Sequence, residues 1–136
     1  MPSSLRFLVG LFLLSIGVAA ASGVALYLQA RSRTQTTAEA ISGGHADAGE
    51  AAIGRYGCGS CHEIPGIAGA TGKVGPALGG IATRAEIAGL LANDPTNMIA
   101  WLRHPQHILP GNGMPEQGVT ERDGRDIAAY LYTLKR

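Results

Sequence analysis

The first hydrophobic feature of the chain is an uncharged run of 22 residues from Phe7 to Leu28. As an α-helix it would extend about 33 Å, at about 1.5 Å per residue, which is enough to cross a bilayer core of about 30 Å. The run therefore predicts an N-terminal transmembrane anchor over residues 1–30. A cleaved signal peptide is the alternative, because three alanines at positions 19–21 suit a peptidase. The run continues past those alanines, which favours a retained anchor.

A polar segment, residues 31–45, follows the anchor and is rich in serine and threonine. It contains a pair of glycines near its end, Gly43 and Gly44, which is typical of a flexible connection. We expect a polar linker with a reach of about 20 Å when flexible. The remaining residues, 46–136, then form one small domain.

Hydrophobic positions in residues 46–136 recur at spacings of three and four, and no alternating strand pattern is present. Such spacing predicts amphipathic helices and an all-α fold. Capping residues mark three helix starts, at Thr83, Asp94 and Thr120. The predicted helices cover residues 47–56, 83–91, 95–104 and 121–134, and the predicted loops cover residues 66–80 and 108–118.

Composition adds two constraints to this picture. The formal net charge is only +1, so no basic surface field is available to bind nucleic acid. Aromatic residues make up 5% of the chain whereas glycine occurs 20 times, so the protein core is thin. Small domains of this kind often need a metal or a cofactor as an organiser, and we expect one here.

The strongest chemical signal is the pentapeptide CGSCH, from Cys58 to His62, which contains both cysteines of the chain. Two thiols at this spacing can each add to a vinyl group of one haem, and the adjacent histidine then lies under the iron. The motif predicts one haem c, held covalently through two thioethers at Cys58 and Cys61, with His62 as an iron ligand. A zinc site would need further ligands at suitable spacing, and a thioredoxin-like pair would need a βαβ setting. Neither pattern is visible.

The second ring nitrogen of an iron-bound histidine needs an acceptor, which fixes the tautomer and raises the basicity of the ligand. A Gly-Pro pair, Gly75 and Pro76, follows His62 in the next loop. We expect the backbone carbonyl of Pro76 to accept this hydrogen bond. The alternative is that the pair forms an ordinary turn.

Four downstream side chains are candidates for a second iron ligand: Met98, His104, His107 and Met114. Met98 lies in a helical stretch, where methionine usually packs in the core, and the two histidines suit a solvated loop. Met114 lies in a loop of glycines and prolines, which permits close approach and is stiff enough to present a weak thioether. We therefore expect His62 and Met114 to ligate the iron. With both axial positions filled, the chain is expected to transfer electrons and not to be an enzyme.

Three motifs occur in a fixed order: CGSCH at residues 58–62, GPAL at residues 75–78 and PGNGMP at residues 110–115. With this combination, residues 46–135 resemble the class I cytochrome c family. The resemblance implies a class I cytochrome c fold, in which helices surround one covalent haem and the first and last helices of the domain cross. It also implies that His62 and Met114 are the axial ligands.

A more specific resemblance comes from NMIAWLRHP at residues 97–105, followed by PGNGMP. This combination is similar to the cytochrome domains associated with subunit II of bacterial haem–copper oxidases, although the copper-binding part of that subunit is missing. The resemblance implies an oxidase partner. Trp101 is expected to pack beside the haem, with its N–H available to a haem propionate. The alternative is that Trp101 only packs in the hydrophobic core. Arg103 either pairs with a propionate or is exposed.

These observations predict a membrane-anchored, mono-haem cytochrome that carries single electrons in a respiratory chain. The expected partner is a respiratory complex, such as a haem–copper oxidase or a quinol-oxidising complex, with no nucleic acid and no small-molecule substrate. The alternative function is a cytochrome subunit that accepts electrons from a periplasmic dehydrogenase.

The location of the domain is predicted from the chemistry of haem attachment. Arg31 and Arg33 outnumber Arg6, so the flanking charges alone do not favour export of the domain. Haem is attached to the CGSCH motif on the outer face of the energised membrane. This predicts that the domain lies on the periplasmic side of a bacterial inner membrane. We expect the exposed haem edge to be framed by Gly59, Ser60, Ile64 and the loop over residues 108–118, which carry little charge.

Overall fold

The structure, a computed structural model, describes residues 2–135. Met1 and Arg136, the ends of the predicted anchor and of the predicted domain, lie outside the described residues. The described chain forms two compact units, one ending at Thr34 and the other beginning at Gln35.

The first helix, α1, covers Ser3–Ser42 and contains the whole hydrophobic run. Its large hydrophobic side chains, among them Phe7, Phe12 and Leu26, are exposed. By length and composition this helix is able to cross a membrane. A helix satisfies its own backbone hydrogen bonds, which is the condition for a chain segment that enters lipid. The structure is therefore compatible with the predicted anchor.

The structure differs from the flexible linker expected over residues 31–45, because α1 continues through most of that segment. The side chain of Ala38 is only 2% exposed, so the last turns of α1 pack inside the second unit. Glu39 reinforces this packing, because its carboxylate accepts a hydrogen bond from the backbone N–H of Ala46 at 2.9 Å. Gly43, at φ 67°, follows the helix and turns the chain. These tertiary contacts keep the segment helical, although its composition alone predicts a linker.

The described chain is mostly helical with few strands, which confirms the predicted fold class. Its remaining helices are α2 (Ala46–Arg55), α3 (Pro95–Arg103), α4 (Pro105–Ile108) and α5 (Glu121–Thr133). Short 3₁₀ turns cover Cys58–Ser60 and Ile81–Thr83, and a small antiparallel hairpin consists of β1 (Glu86–Ile87) and β2 (Leu91–Ala92).

The core of the domain forms where α2 packs against α5, as the family resemblance implied. Ile53 from α2 and Ile127 from α5 are both 1% exposed at this contact. Gly49 allows the close approach, because a Cβ built at that position would clash with the α5 backbone at Asp126. Close packing of this kind is sensitive to added volume, so the two helices that flank the site form its stable base.

The helix starts at α3 and α5 follow the predicted capping. Asp94 accepts a hydrogen bond from the backbone N–H of Asn97 at 2.9 Å, and Pro95 occupies the first turn of α3. Thr120 likewise accepts from the backbone N–H of Asp123 at 3.1 Å. Both side chains satisfy N–H groups that the first turn of a helix leaves without an internal partner. These two predictions are confirmed.

The helix predicted over residues 83–91 is wrong, because the structure places the small hairpin there. The Thr83 hydroxyl donates back to the carbonyl of Gly80 at 2.9 Å and does not cap a helix. Ala88 and Gly89 both have positive φ, 54° and 67°, which is the backbone of a tight hairpin turn. The Asn93 amide also donates to carbonyls on both sides of Thr83, which favours the turn over a helix.

Candidate functional site

The CGSCH segment begins where α2 ends. Gly57 has φ 66°, which lets the chain leave α2 and enter the 3₁₀ turn Cys58–Ser60. The backbone N–H groups of Cys61 and His62 both donate to the carbonyl of Cys58, at 3.2 and 3.0 Å. Both cysteines are free and half-buried, and burial raises the pKa of the Cys58 thiol. The two thiols and the imidazole are therefore held on one short, hydrogen-bonded turn.

The imidazole of His62 is oriented by the following loop. Its Nδ1 lies 2.7 Å from the backbone carbonyl oxygen of Pro76, which is the contact expected from the sequence. A carbonyl only accepts, so Nδ1 carries the proton and Nε2 keeps its lone pair for a metal. Gly75 lies against the ring, where a Cβ would clash with its atoms, and its N–H donates to the carbonyl of Cys61 at 2.8 Å.

Glycines hold this loop close to the cysteine turn. A Cβ at Gly72 would clash with the backbone of Ser60 and Cys61, and the Gly72 N–H donates to the carbonyl of Gly59 at 3.1 Å. Gly59 in turn lies against Ala70. The sequence showed a glycine-rich loop here, and the structure shows that the glycines are needed for close backbone approach.

The four candidates for the second iron ligand lie in different surroundings. Met98 lies on α3 and is 2% exposed in the hydrophobic core of the domain, as expected for a packing residue. His104 and His107 are both exposed, and His104 Nδ1 lies 3.7 Å from the carboxylate of Glu116. Met114 is half-buried and packs against the hydrophobic core from its loop. These surroundings favour Met114, whose thioether alone among the four combines a loop position with contact to the core.

Two further residues act on the Met114 loop, and sequence reasoning missed both. The side-chain amides of Gln106 and Asn112 bond to the backbone on both sides of Met114. Asn112 lies between two glycines in a turn, which is a known setting for side-chain to backbone hydrogen bonds and was the available signal. Gln106 carried no such signal, because its partners lie five to eight residues further along the chain. The Gln106 side chain reaches them only when the loop closes.

Trp101 and Arg103 lie near each other on α3. Trp101 is half-buried and packs against the hydrophobic core. Arg103 lies along α5 with its Cγ close to Gly124, and its Nε is buried without a hydrogen-bond partner among residues 2–135. An orphaned buried N–H of this kind suits an anionic acceptor such as a carboxylate.

The prediction that Gly59, Ser60 and Ile64 frame an exposed haem edge is wrong for Ile64. Ile64 is 2% exposed and belongs to the hydrophobic core, and its backbone N–H donates to the carbonyl of Ala70 at 3.1 Å. The exposed hydrophobic side chain beside the cysteine turn is Val74, at 80% exposure.

The side chains present fit a covalent haem c. Two thiols on one turn, an imidazole with a free Nε2 and a loop thioether form the donor set that such a group requires. The soft sulfur and imidazole ligands also suit iron better than they suit magnesium or calcium, which prefer oxygen.

Comparison with known proteins agrees with this chemistry. The family model for cytochrome c matches residues 46–135. The chain is also 39% identical over 79 residues to "Cytochrome c oxidase subunit 2" of Alkalihalophilus pseudofirmus, a match that covers 57% of this chain and 22% of the relative. The chain thus spans about a fifth of the length of that relative, and no solved structure matches it.

Proteins of the cytochrome c family carry covalent haem c, and Cys58 and Cys61 occupy the two cysteine positions of the attachment motif. The family transfers electrons and does not catalyse a reaction of its own. The match covers most of the second structural unit, from the start of α2 to the end of α5. The chain therefore belongs to the cytochrome c family.

Proposed function

We propose that this cytochrome is a membrane-anchored, mono-haem carrier of single electrons in a respiratory chain, acting as donor to, or subunit of, a terminal oxidase. The observation that carries the proposal is the hydrogen bond of 2.7 Å between His62 and Pro76, because it prepares the imidazole of the attachment motif as an iron ligand. When bound, the haem supplies a reversible one-electron centre.

The residues of the chain divide the work of holding that centre. Cys58 and Cys61 would hold the haem through thioethers, and His62, through Nε2, and Met114 would ligate its iron. This pair of ligands, an imidazole and a thioether, would raise the reduction potential of the haem and leave its iron no open position for oxygen or peroxide. Small-molecule substrates are therefore not part of the function. Trp101, packed against the same core, is the candidate N–H donor to a haem propionate.

The proposed anchor is the hydrophobic part of α1, with the cytochrome domain on the periplasmic side of a bacterial inner membrane. Support for the anchor comes from the length and hydrophobicity of α1. Support for the side comes from the attachment motif, since haem is joined to it outside the cytoplasm.

The proposed domain begins earlier than the sequence suggested. Residues from Gln35 onwards belong to the same compact unit as α2 and α5. The Gln35 amide donates to the carboxylate of Asp47 at 3.2 Å, and Asp126 accepts from the backbone N–H of His45 at 2.8 Å. Residues 35–45 are therefore part of the folded unit. They do not act as a flexible linker with an end-to-end reach of about 20 Å.

The proposed partner is an oxidase. Support comes from the relative named cytochrome c oxidase subunit 2, whose match to this chain lies in a stretch of 79 residues. The low net charge of +1 argues against long-range electrostatic steering and for docking through apolar contact. Membrane confinement would then supply the local concentration that steering does not.

Co-purification after extraction in a mild detergent tests the proposal. The chain is isolated through a C-terminal tag, and the haem types of the eluate are determined by absorption spectroscopy. We expect a or b haems of an oxidase to elute with the c haem, and to be lost after extraction in a harsher detergent. A chain that elutes with only its own haem under every mild condition, or with a substrate-oxidising dehydrogenase, would contradict the oxidase proposal.

A further inference from the structure

The loop that carries Met114 is held by two amide side chains. The Gln106 Nε2 donates to the backbone carbonyls of Asn112 and Met114, at 2.8 and 2.6 Å. The Gln106 Oε1 accepts from the backbone N–H of Gly111 at 3.0 Å. A single half-buried side chain therefore uses both its donors and its acceptor on the same loop.

Asn112 completes this arrangement from inside the loop. Its Oδ1 accepts from the backbone N–H of Met114 at 2.7 Å. Its Nδ2 donates to the carbonyls of Pro105 and Leu109, at 2.9 and 2.7 Å. Both backbone polar groups of Met114, its N–H and its carbonyl, are thus bonded to side-chain amides.

The base of this arrangement is rigid. Pro105, which starts α4, is fully buried, so the neighbouring Gln106 starts from a fixed position. The backbone N–H of Gln106 also donates to the carboxylate of Glu116 at 3.0 Å, on the far side of Met114. The loop is consequently closed at both ends around Gln106.

The glycines in the loop explain why this clamp is needed. Gly111 has φ 81°, and a Cβ at Gly111 or at Gly113 would meet no atom within 4 Å. Packing therefore does not fix these two glycines, which lie between the stiffening residues Pro110 and Pro115. Glycine also loses more conformational freedom on ordering than any other residue. A thioether is a weak neutral ligand, so ordering of Met114 has to come from elsewhere.

We propose that Gln106 and Asn112 are positioning residues, which form an amide clamp on the backbone of Met114 and hold its thioether in place against displacement by other ligands. The inference rests on the proposed role of Met114 as the second axial ligand. Neither amide touches the haem in this proposal, and both act through the backbone of Met114. The function of the clamp is to pre-organise the ligand, which lowers the entropy lost when the thioether binds.

The test uses the full-length, haem-loaded protein in detergent and titrates it with imidazole, which competes with the thioether. Gln106→Glu keeps the size of the side chain but turns an oxygen towards the carbonyls of Asn112 and Met114. We expect imidazole to bind about tenfold more tightly, because about one net hydrogen bond is lost. The intensity of the weak thioether-to-iron absorption band should decrease as imidazole binds.

Three further variants separate the clamp from other effects. Gln117→Glu adds the same charge to an exposed position of the same loop and should leave the imidazole affinity unchanged. Gln106→Ala removes the amide without adding a charge and should also raise the affinity. Tyr132→Phe removes a hydrogen bond to Asn93 elsewhere in the domain, so it lowers stability without a predicted change in imidazole affinity.

The outcomes distinguish this inference from the proposed ligand set. Met114→Leu is titrated alongside, and loss of its thioether band confirms the ligand. If Met114→Leu loses the band while both Gln106 variants bind imidazole like Gln117→Glu, the clamp is overturned and the ligand stands. If Met114→Leu keeps the band, the ligand assignment fails and the clamp fails with it. Equal increases in Tyr132→Phe and in the Gln106 variants would reduce Gln106 to a general structural role.

Discussion

Replacement of Glu39 by alanine tests whether the end of α1 is an integral part of the cytochrome domain. Glu39 accepts the hydrogen bond of 2.9 Å from the backbone N–H of Ala46, the first residue of α2. His45, which precedes α2, provides no side-chain cap of its own. Glu39 therefore caps α2 from another helix, and its negative charge also lies at the positive end of the α2 dipole.

The magnitude follows from these two contributions. Loss of a helix cap costs about 1 kcal/mol, and loss of a favourable charge at a helix N-terminus costs about 0.5 kcal/mol. Glu39→Ala should thus lower the free energy of unfolding by about 1.5 kcal/mol. With a denaturant slope of about 3 kcal/mol per molar in guanidinium chloride, the midpoint should fall by about 0.5 M.

The assay uses the single tryptophan of the chain, Trp101, whose fluorescence should be quenched by the haem in the folded domain and recover on unfolding. Glu39→Gln keeps an acceptor oxygen and should recover part of the loss. Glu50→Ala removes an exposed carboxylate from α2 itself and serves as the matched control. Equal midpoints for Glu39→Ala and Glu50→Ala would refute the idea that α1 caps the domain.

Two other substitutions and the N-terminus of the mature protein also have expected outcomes. Gly75→Ala should force a methyl group against the His62 ring and cost about 1–3 kcal/mol, measured as a lower denaturation midpoint and a lower yield of covalent haem. Asp123 has a pKa held below its usual range, chiefly by the Tyr56 hydroxyl. Its contribution to stability is therefore complete above about pH 4 and lost as pH falls through the lower folded pKa, and Asp123→Asn should flatten this acid dependence of the midpoint. Residues 7–28 should remain in the mature protein and require detergent for extraction, whereas an N-terminus just after Ala21 would identify a cleaved signal peptide.

Local signals predicted most of the helical frame. The starts of α3 and α5 depend on Asp94 and Thr120, whose side chains cap the residues that follow them directly. Such contacts lie within three positions in the sequence and can be inferred without the fold. The same holds for CGSCH, because the two cysteines and His62 share one turn.

Errors arose where distant contacts decided the outcome. The end of α1 stays helical because Ala38 is buried and Glu39 reaches α2, neither of which composition reveals. The hairpin replaced a predicted helix because the Asn93 amide donates to the carbonyls of Ile81 and Arg84, which lie well before it in the sequence. In the site, the contact between His62 and Pro76 was anticipated from a Gly-Pro pair, whereas the amide clamp of Gln106 depends on loop closure and was not.

The most direct test of the account is a redox titration of the purified, detergent-solubilised protein, followed by its visible spectrum. We predict a single one-electron transition of one covalent haem, with a midpoint potential that falls in Met114→Leu while the haem stays attached. Variants His104→Ala and His107→Ala should keep the wild-type potential. A chain without covalent haem, or an unchanged potential in Met114→Leu together with a shift in either histidine variant, would contradict the account.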